Sequence, residues 1–131
     1  MVIPRITKED LARRLQETDS EPVAPERPRP VVVDVRLKYP YEHSTISLPG
    51  AIRIAAADLD PTTLPRDREI ILYDSDPEEL VAESAAARLI RLGFRALVLQ
   101  GGIAAWAGAK LPIARKSAPQ LAVPVSGLAR G

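Results

Sequence analysis

A chain of 131 residues is the size of one ordinary domain and is long enough to bury a hydrophobic core. Its 18 basic and 17 acidic residues leave a formal charge of +1, too weak a field to draw nucleic acid or a membrane surface; no apolar run approaches the roughly 20 residues of a membrane helix, and the opening MVIPRITKED lacks a signal-peptide core, so a cytoplasmic location is expected. Having no cysteine and one histidine, His43, the chain excludes disulfides, thiolate metal sites, cysteine nucleophiles and a histidine metal cluster, leaving only carboxylates to hold a metal ion.

In chain order, TKEDLARRLQE at 7–17 offers Thr7 as an N-cap, acidic residues in its first turn, and Leu11 and Leu15 four apart. This predicts a short amphipathic helix. Residues 18–30, TDSEPVAPERPRP, hold four of the 13 prolines and are expected to form a surface loop that cannot continue the helix. The β-branched run VVVDVR at 31–36 reads as a buried parallel strand. Pro49 and Gly50, within LPGAIRI at 48–54, predict a turn and then a second short strand. Asp58, Leu59, Pro61 and Pro65 mark a short helical turn and a loop. EIILY at 69–73 is the third strand, and Ser75 to Leu92 holds a helix with Val81, Ala85, Leu89 and Leu92 on one face, ended by Gly93. ALVL at 96–99 is a further strand, and Gly101-Gly102 opens a short helix in QGGIAAWAGAKLP, 100–112, which carries the single tryptophan, Trp106. Strand and helix alternating in this order predict a three-layer α/β fold with a mainly parallel sheet. The domain is expected to span 1–113, with 114–131 a flexible tail.

Five short motifs extend this reading. VDVR (33–36), LPGA (48–51), IILYD (70–74), LGF (92–94) and GGIAAW (101–106) occur in the order and at the spacing of a rhodanese-homology domain, which the chain resembles over roughly residues 5–112. The resemblance implies a rhodanese-like fold, with a central, mostly parallel five-stranded sheet flanked by helices. In active members, a cysteine directly follows the strand that corresponds to EIILY and opens a loop whose backbone N–H groups point inward. It accepts a sulfane sulfur as a persulfide and passes it to a thiophilic acceptor, helped by those donors and by the following helix N-terminus. The matching position here is Asp74. A loop of the form Cys-x-Cys-Pro-x-Glu aligns without gaps onto DSDPEE at 74–79, so both of its cysteines are aspartates here. The degenerate active-site loop is then Asp74, Ser75, Asp76, Pro77, Glu78, Glu79 and Leu80. Two other departures accompany it: Ile46-Ser47 stands where Gly-His often precedes the Pro-Gly-Ala turn, and Tyr39-Pro40-Tyr41-Glu42 blurs the Glu-aromatic pair that follows Asp-x-Arg.

The resemblance without the thiol implies a non-catalytic binding or regulatory module that meets a protein partner at 74–80 and uses no cofactor. The Asp74 carboxylate can accept hydrogen bonds meant for an anion, and Glu78, Glu79 and Glu83 complement the dipole of the helix that follows. So acidic a loop repels thiosulfate and phosphate. The alternative is a working Asp-x-Asp site at Asp74 and Asp76, a Mg²⁺-assisted hydrolase placed like the haloacid-dehalogenase-type phosphatases. That family, however, carries its Asp-x-Asp on the first strand and needs a Thr or Ser, a Lys and a further acidic pair, none of which appears in matching order. Elsewhere, Asp34 and Arg36 are expected to tie loops together as an ion pair, His43 to be solvated, Trp106 to pack in the core, and Gly101-Gly102 to make a tight strand-to-helix turn.

Overall fold

In the computed structural model, which describes residues 2–20, 29–75 and 80–116 without the side chains of 17–20, the chain runs β1 (Arg5–Ile6), α1 (Lys8–Ser20), β2 (Val31–Asp34), α2 (Lys38–His43), β3 (Ile46–Ser47), β4 (Ile52–Arg53), β5 (Ile70–Tyr73), α3 (Leu80–Arg91), β6 (Ala96–Leu99), α4 (Gly102–Gly108) and β7 (Ala114–Arg115). Two 3-10 turns, Ala56–Asp58 and Pro61–Thr63, lie between β4 and β5. One sheet has the order β1-β6-β5-β2-β4, every pairing parallel; β3 and β7 pair antiparallel beside it.

The central strands read as unbroken apolar runs because both of their faces are covered. Val33, Ile70, Leu72, Ala96 and Val98 point to one side and bury Ala82, Ala85, Ala86 and Leu89 of α3. Val32, Ile71, Tyr73 and Leu99 point to the other, against Leu11 and Leu15 of α1 and Ile103 and Trp106 of α4. Two cores on opposite faces of one sheet make the expected three-layer α/β fold.

Local signals account for most boundaries. The Asp10 N–H donates to Thr7 Oγ1 at 3.1 Å, so Thr7 caps α1. At the other end α1 continues to Ser20, three residues into the stretch expected to be loop. The first proline is Pro22, and its restriction reaches back only to Glu21, which leaves Thr18 to Ser20 able to stay helical. The rest of that expected loop, 21–28, lies outside the described residues. The Ala51 N–H donates to the Leu48 carbonyl at 3.2 Å, with Gly50 at φ +74°, closing the predicted Pro-Gly turn. After α3, Gly93 takes φ +94° while its N–H reaches Ile90 and that of Phe94 reaches Leu89, both at 3.0 Å. In this paired C-terminal cap Phe94 goes into the core, and Leu92, expected on the apolar face, is left 45% exposed.

Gly101 has φ +82°, and a Cβ there would sit 2.5 Å from that of Ala105, so the turn into α4 requires glycine. Four elements were not foreseen. Strands β1, β3 and β7 have two residues each, and α2 buries none of its residues. Pro40 is tolerated in α2 because it falls in the first turn, where the backbone N–H has no helical partner. Ala114 and Arg115, expected to open a flexible tail, instead form β7 opposite Ser47 and Ile46, and the Lys116 N–H donates to the Thr45 carbonyl at 3.0 Å. Residues 117–131 lie outside the described residues. No helix among the described residues is long and apolar enough to cross a membrane.

Candidate functional site

In a parallel sheet the C-terminal strand ends face one way, and ligand chemistry collects at that edge. Asp34 closes β2 there and Tyr73 closes β5, opposite each other in register. Asp74 follows Tyr73 directly and is buried, with 1% of its surface exposed. Its Oδ2 accepts the Ala82 N–H at 2.9 Å, and its carbonyl accepts the Ile103 N–H at 3.0 Å. Ala82 is the third residue of α3, so this N–H belongs to the first turn, which has no carbonyl of its own helix to bond. The Asp74 carboxylate thus meets the N-terminal end of α3 as a bound anion would, and charge and dipole favour each other. Through its backbone the same residue also ties β5 to the start of α4.

Ser75 is half-buried, and Leu80, the first residue of α3, is 59% exposed. Asp76, Pro77, Glu78 and Glu79 lie outside the described residues. Glu83, in the first turn of α3, forms an ion pair with Arg5. Among the described residues no three metal-ligating side chains come together.

Next to this loop lies a buried polar cluster. Asp34 and Arg36 are each 1% exposed. Asp34 Oδ1 accepts from the Arg36 backbone N–H and from Nε, both at 3.0 Å, and Oδ2 accepts from Arg36 Nη2 at 2.7 Å and from the Tyr73 hydroxyl at 3.1 Å. Arg36 Nη2 also donates to the Ile46 carbonyl at 3.0 Å, so the pair ties β2 to β3. The expected structural role of this pair matches these contacts. His43 is exposed, its Nδ1 2.9 Å from the Tyr39 carbonyl oxygen. Trp106 is buried in the core, and its Nε1 donates to the Pro112 carbonyl at 2.7 Å.

Tyr73 completes the cluster, and no local pattern marked it: its hydroxyl bonds Asp34, which is distant in sequence, and it accepts the Leu48 N–H at 3.3 Å. Burial, reinforced by the Asp34 carboxylate, raises its pKa far above the ordinary value of 10.0. A group whose pKa is raised on folding gives stability that is complete below the unfolded value and is lost as pH rises past it. Tyr73→Phe is therefore expected to flatten the alkaline loss of stability above pH 10.0, by up to about 1.4 kcal/mol per pH unit for one group. Urea unfolding of both proteins across that range measures it, and equal slopes would show that Tyr73 ionises as easily folded as unfolded.

The family model for the rhodanese-like domain matches residues 8–109. A search of curated proteins finds no match. Among solved structures, a Lactobacillus plantarum protein is similar with 25% identity and a TM-score of 0.70, the match covering 85% of this chain and 87% of that one. The BH2092 protein of Bacillus halodurans is similar with 27% identity and a TM-score of 0.68, over 85% of this chain and 76% of that one. A Rhodopseudomonas palustris protein of unknown function, a possible tyrosine phosphatase, shares the fold with 20% identity and a TM-score of 0.66, over 86% of this chain and 85% of that one. Because the family match covers most of the 131 residues and the parallel sheet flanked by helices is the fold it implies, the chain belongs to the rhodanese-like domain family.

Proposed function

We propose that this rhodanese-like domain transfers no sulfur and acts as a binding or regulatory module, with the surface around residues 74–80 meeting a protein partner. The observation that carries the reading is the state of Asp74. The position that bears the persulfide in active members holds a carboxylate, buried and bonded to the N-terminal turn of α3. A carboxylate oxygen cannot carry sulfane sulfur, and no cysteine elsewhere in the chain can replace it. Leu80, a large apolar side chain left exposed at the end of the loop, supports a protein partner there.

The hydrolase alternative needs Asp74 open to substrate as a nucleophile, and its burial stands against that role. The purified protein is expected to form no thiocyanate from thiosulfate and cyanide above a heat-killed control. It is equally expected to release no nitrophenol from p-nitrophenyl phosphate with Mg²⁺. Turnover in the first assay overturns the non-catalytic reading, and turnover in the second that is abolished by Asp74→Asn replaces it with the hydrolase.

A further inference from the structure

A concavity lies one strand over from the Asp74 loop, where β2 and β4 end. It is a pocket of about 220 Å³ lined by Asp34, Tyr41, Ser47, Arg53, Arg115 and Lys116, among others; none of Asp74, Ser75 and Leu80 contributes to it. At about 30 Å³ per water of the liquid, it has room for roughly seven waters, more than a single small ion fills.

Its charge is one-sided. The Tyr41 ring has the Lys116 Nζ 3.8 Å from its centroid, the Arg53 guanidinium at 4.0 Å and the Arg36 guanidinium at 5.3 Å. Arg115 stands exposed at the rim. Against these four cations the lining offers one carboxylate, that of Asp34, whose oxygens already accept from Arg36 and Tyr73 and lie 3.7 Å from Arg53. Glu42, exposed on α2, is the other acidic group that bears on Lys116. Burial, and then the nearby Arg36 charge, lower the Lys116 pKa from its usual value. Cations held this close repel one another, and the negative face of a single tyrosine ring offsets only part of that repulsion.

Two of the donors, Arg53 and Lys116, are also held in place through their side chains. Arg53 Nη1 is fixed by the carbonyls of Arg36, at 2.6 Å, and Asp34, at 3.2 Å, which leaves its Nε and Nη2 edge for another acceptor. The β3–β7 ladder carries Arg115, and Lys116 is anchored to Thr45 through its backbone and to the Tyr41 carbonyl through Nζ. Two guanidinium forks, an ammonium and the Ser47 hydroxyl around one cavity make a donor set suited to a doubly charged tetrahedral oxyanion.

We propose that this pocket binds a phosphate-type dianion, with Arg53, Arg115 and Lys116 neutralising its charge and Ser47 donating a hydrogen bond. The space beyond one such group suits a phosphate carried on a larger molecule, although inorganic phosphate presents the same chemistry. Neither source depends on the reading of the Asp74 loop.

The test is a titration of the full chain followed by backbone amide shifts, with inorganic phosphate, phosphoserine and sodium chloride compared at matched ionic strength. Saturable shifts centred on residues 45–53 and 114–116 are expected for phosphate and phosphoserine, and not for chloride. Tighter binding of phosphoserine identifies a phosphate on a larger molecule; equal or weaker binding identifies the free ion. The double variant Arg115→Gln, Lys116→Gln alters one exposed and one half-buried position outside both cores and is expected to keep its native spectrum while weakening binding about tenfold or more. Shifts that do not saturate, that chloride reproduces, that centre on Ser75 and residues 80–82, or that survive the double variant unchanged would overturn the proposal.

Discussion

Asp34→Ala is expected to cost about 3–5 kcal/mol and to bring the domain close to unfolding at room temperature. The cost follows from what the substitution leaves behind. Arg36 remains, 1% exposed, with its charge no longer balanced. The Tyr73 hydroxyl loses its acceptor and Arg53 loses the carboxylate 3.7 Å away. Breaking a buried pair from one side is worse than never having it, because the desolvation of the surviving ion is no longer offset. The companion Asp34→Ala, Arg36→Met variant should therefore be more stable than Asp34→Ala alone, since the orphaned cation goes with its partner. Urea midpoints for wild type, both single variants and the double variant close the cycle. A loss below about 1 kcal/mol for Asp34→Ala would mean that water reaches the Arg36 guanidinium and that the cluster is not dry.

The cluster also shows how far such a site can be read from sequence. Asp34 and Arg36 stand two apart at the end of a β-branched run, so their pairing was legible. Tyr73 and Arg53 were not, because only the parallel register that sets Asp34 opposite Tyr73 and Arg53 brings them in. The same limit governs the fold. Strands β2, β5 and β6 announce themselves because burial on both faces makes them continuous apolar runs. A two-residue strand such as β1, β3 or β7 has no period to detect, and α2, with nothing buried, has no stripe. The basic pocket draws on residues 34 to 53 and on 115 and 116, and before β7 folds back onto β3 those positions share nothing. The expectation for Asp74 had another source: short motifs on either side set its alignment, whereas composition alone left it one acidic residue among 17.

What Asp74 does for the fold yields the second large effect. Asp74→Ala removes the acceptor of the Ala82 N–H in a site closed to solvent, and a buried donor left without a partner costs about 1–3 kcal/mol. Asp74→Asn keeps a carbonyl oxygen for that bond and loses the attraction between a negative charge and the α3 N-terminus, about 0.3–1 kcal/mol with up to ~2 in buried geometry. Stability should thus fall in the order wild type, Asn, Ala, as read from urea midpoints at neutral pH. Asp74→Cys places a thiol where the family resemblance implies the persulfide cysteine, and it should fold, because a thiol or thiolate sulfur can still accept weakly from the Ala82 N–H. It is not expected to restore thiocyanate formation, since acidic neighbours in the loop raise the thiol pKa and repel an anionic donor. An Ala variant as stable as wild type would remove the carboxylate from any role in holding α3. A Cys variant that turns over thiosulfate would mean that the cradle survives intact and that the side chain at 74 is the whole difference between a transferase and this domain.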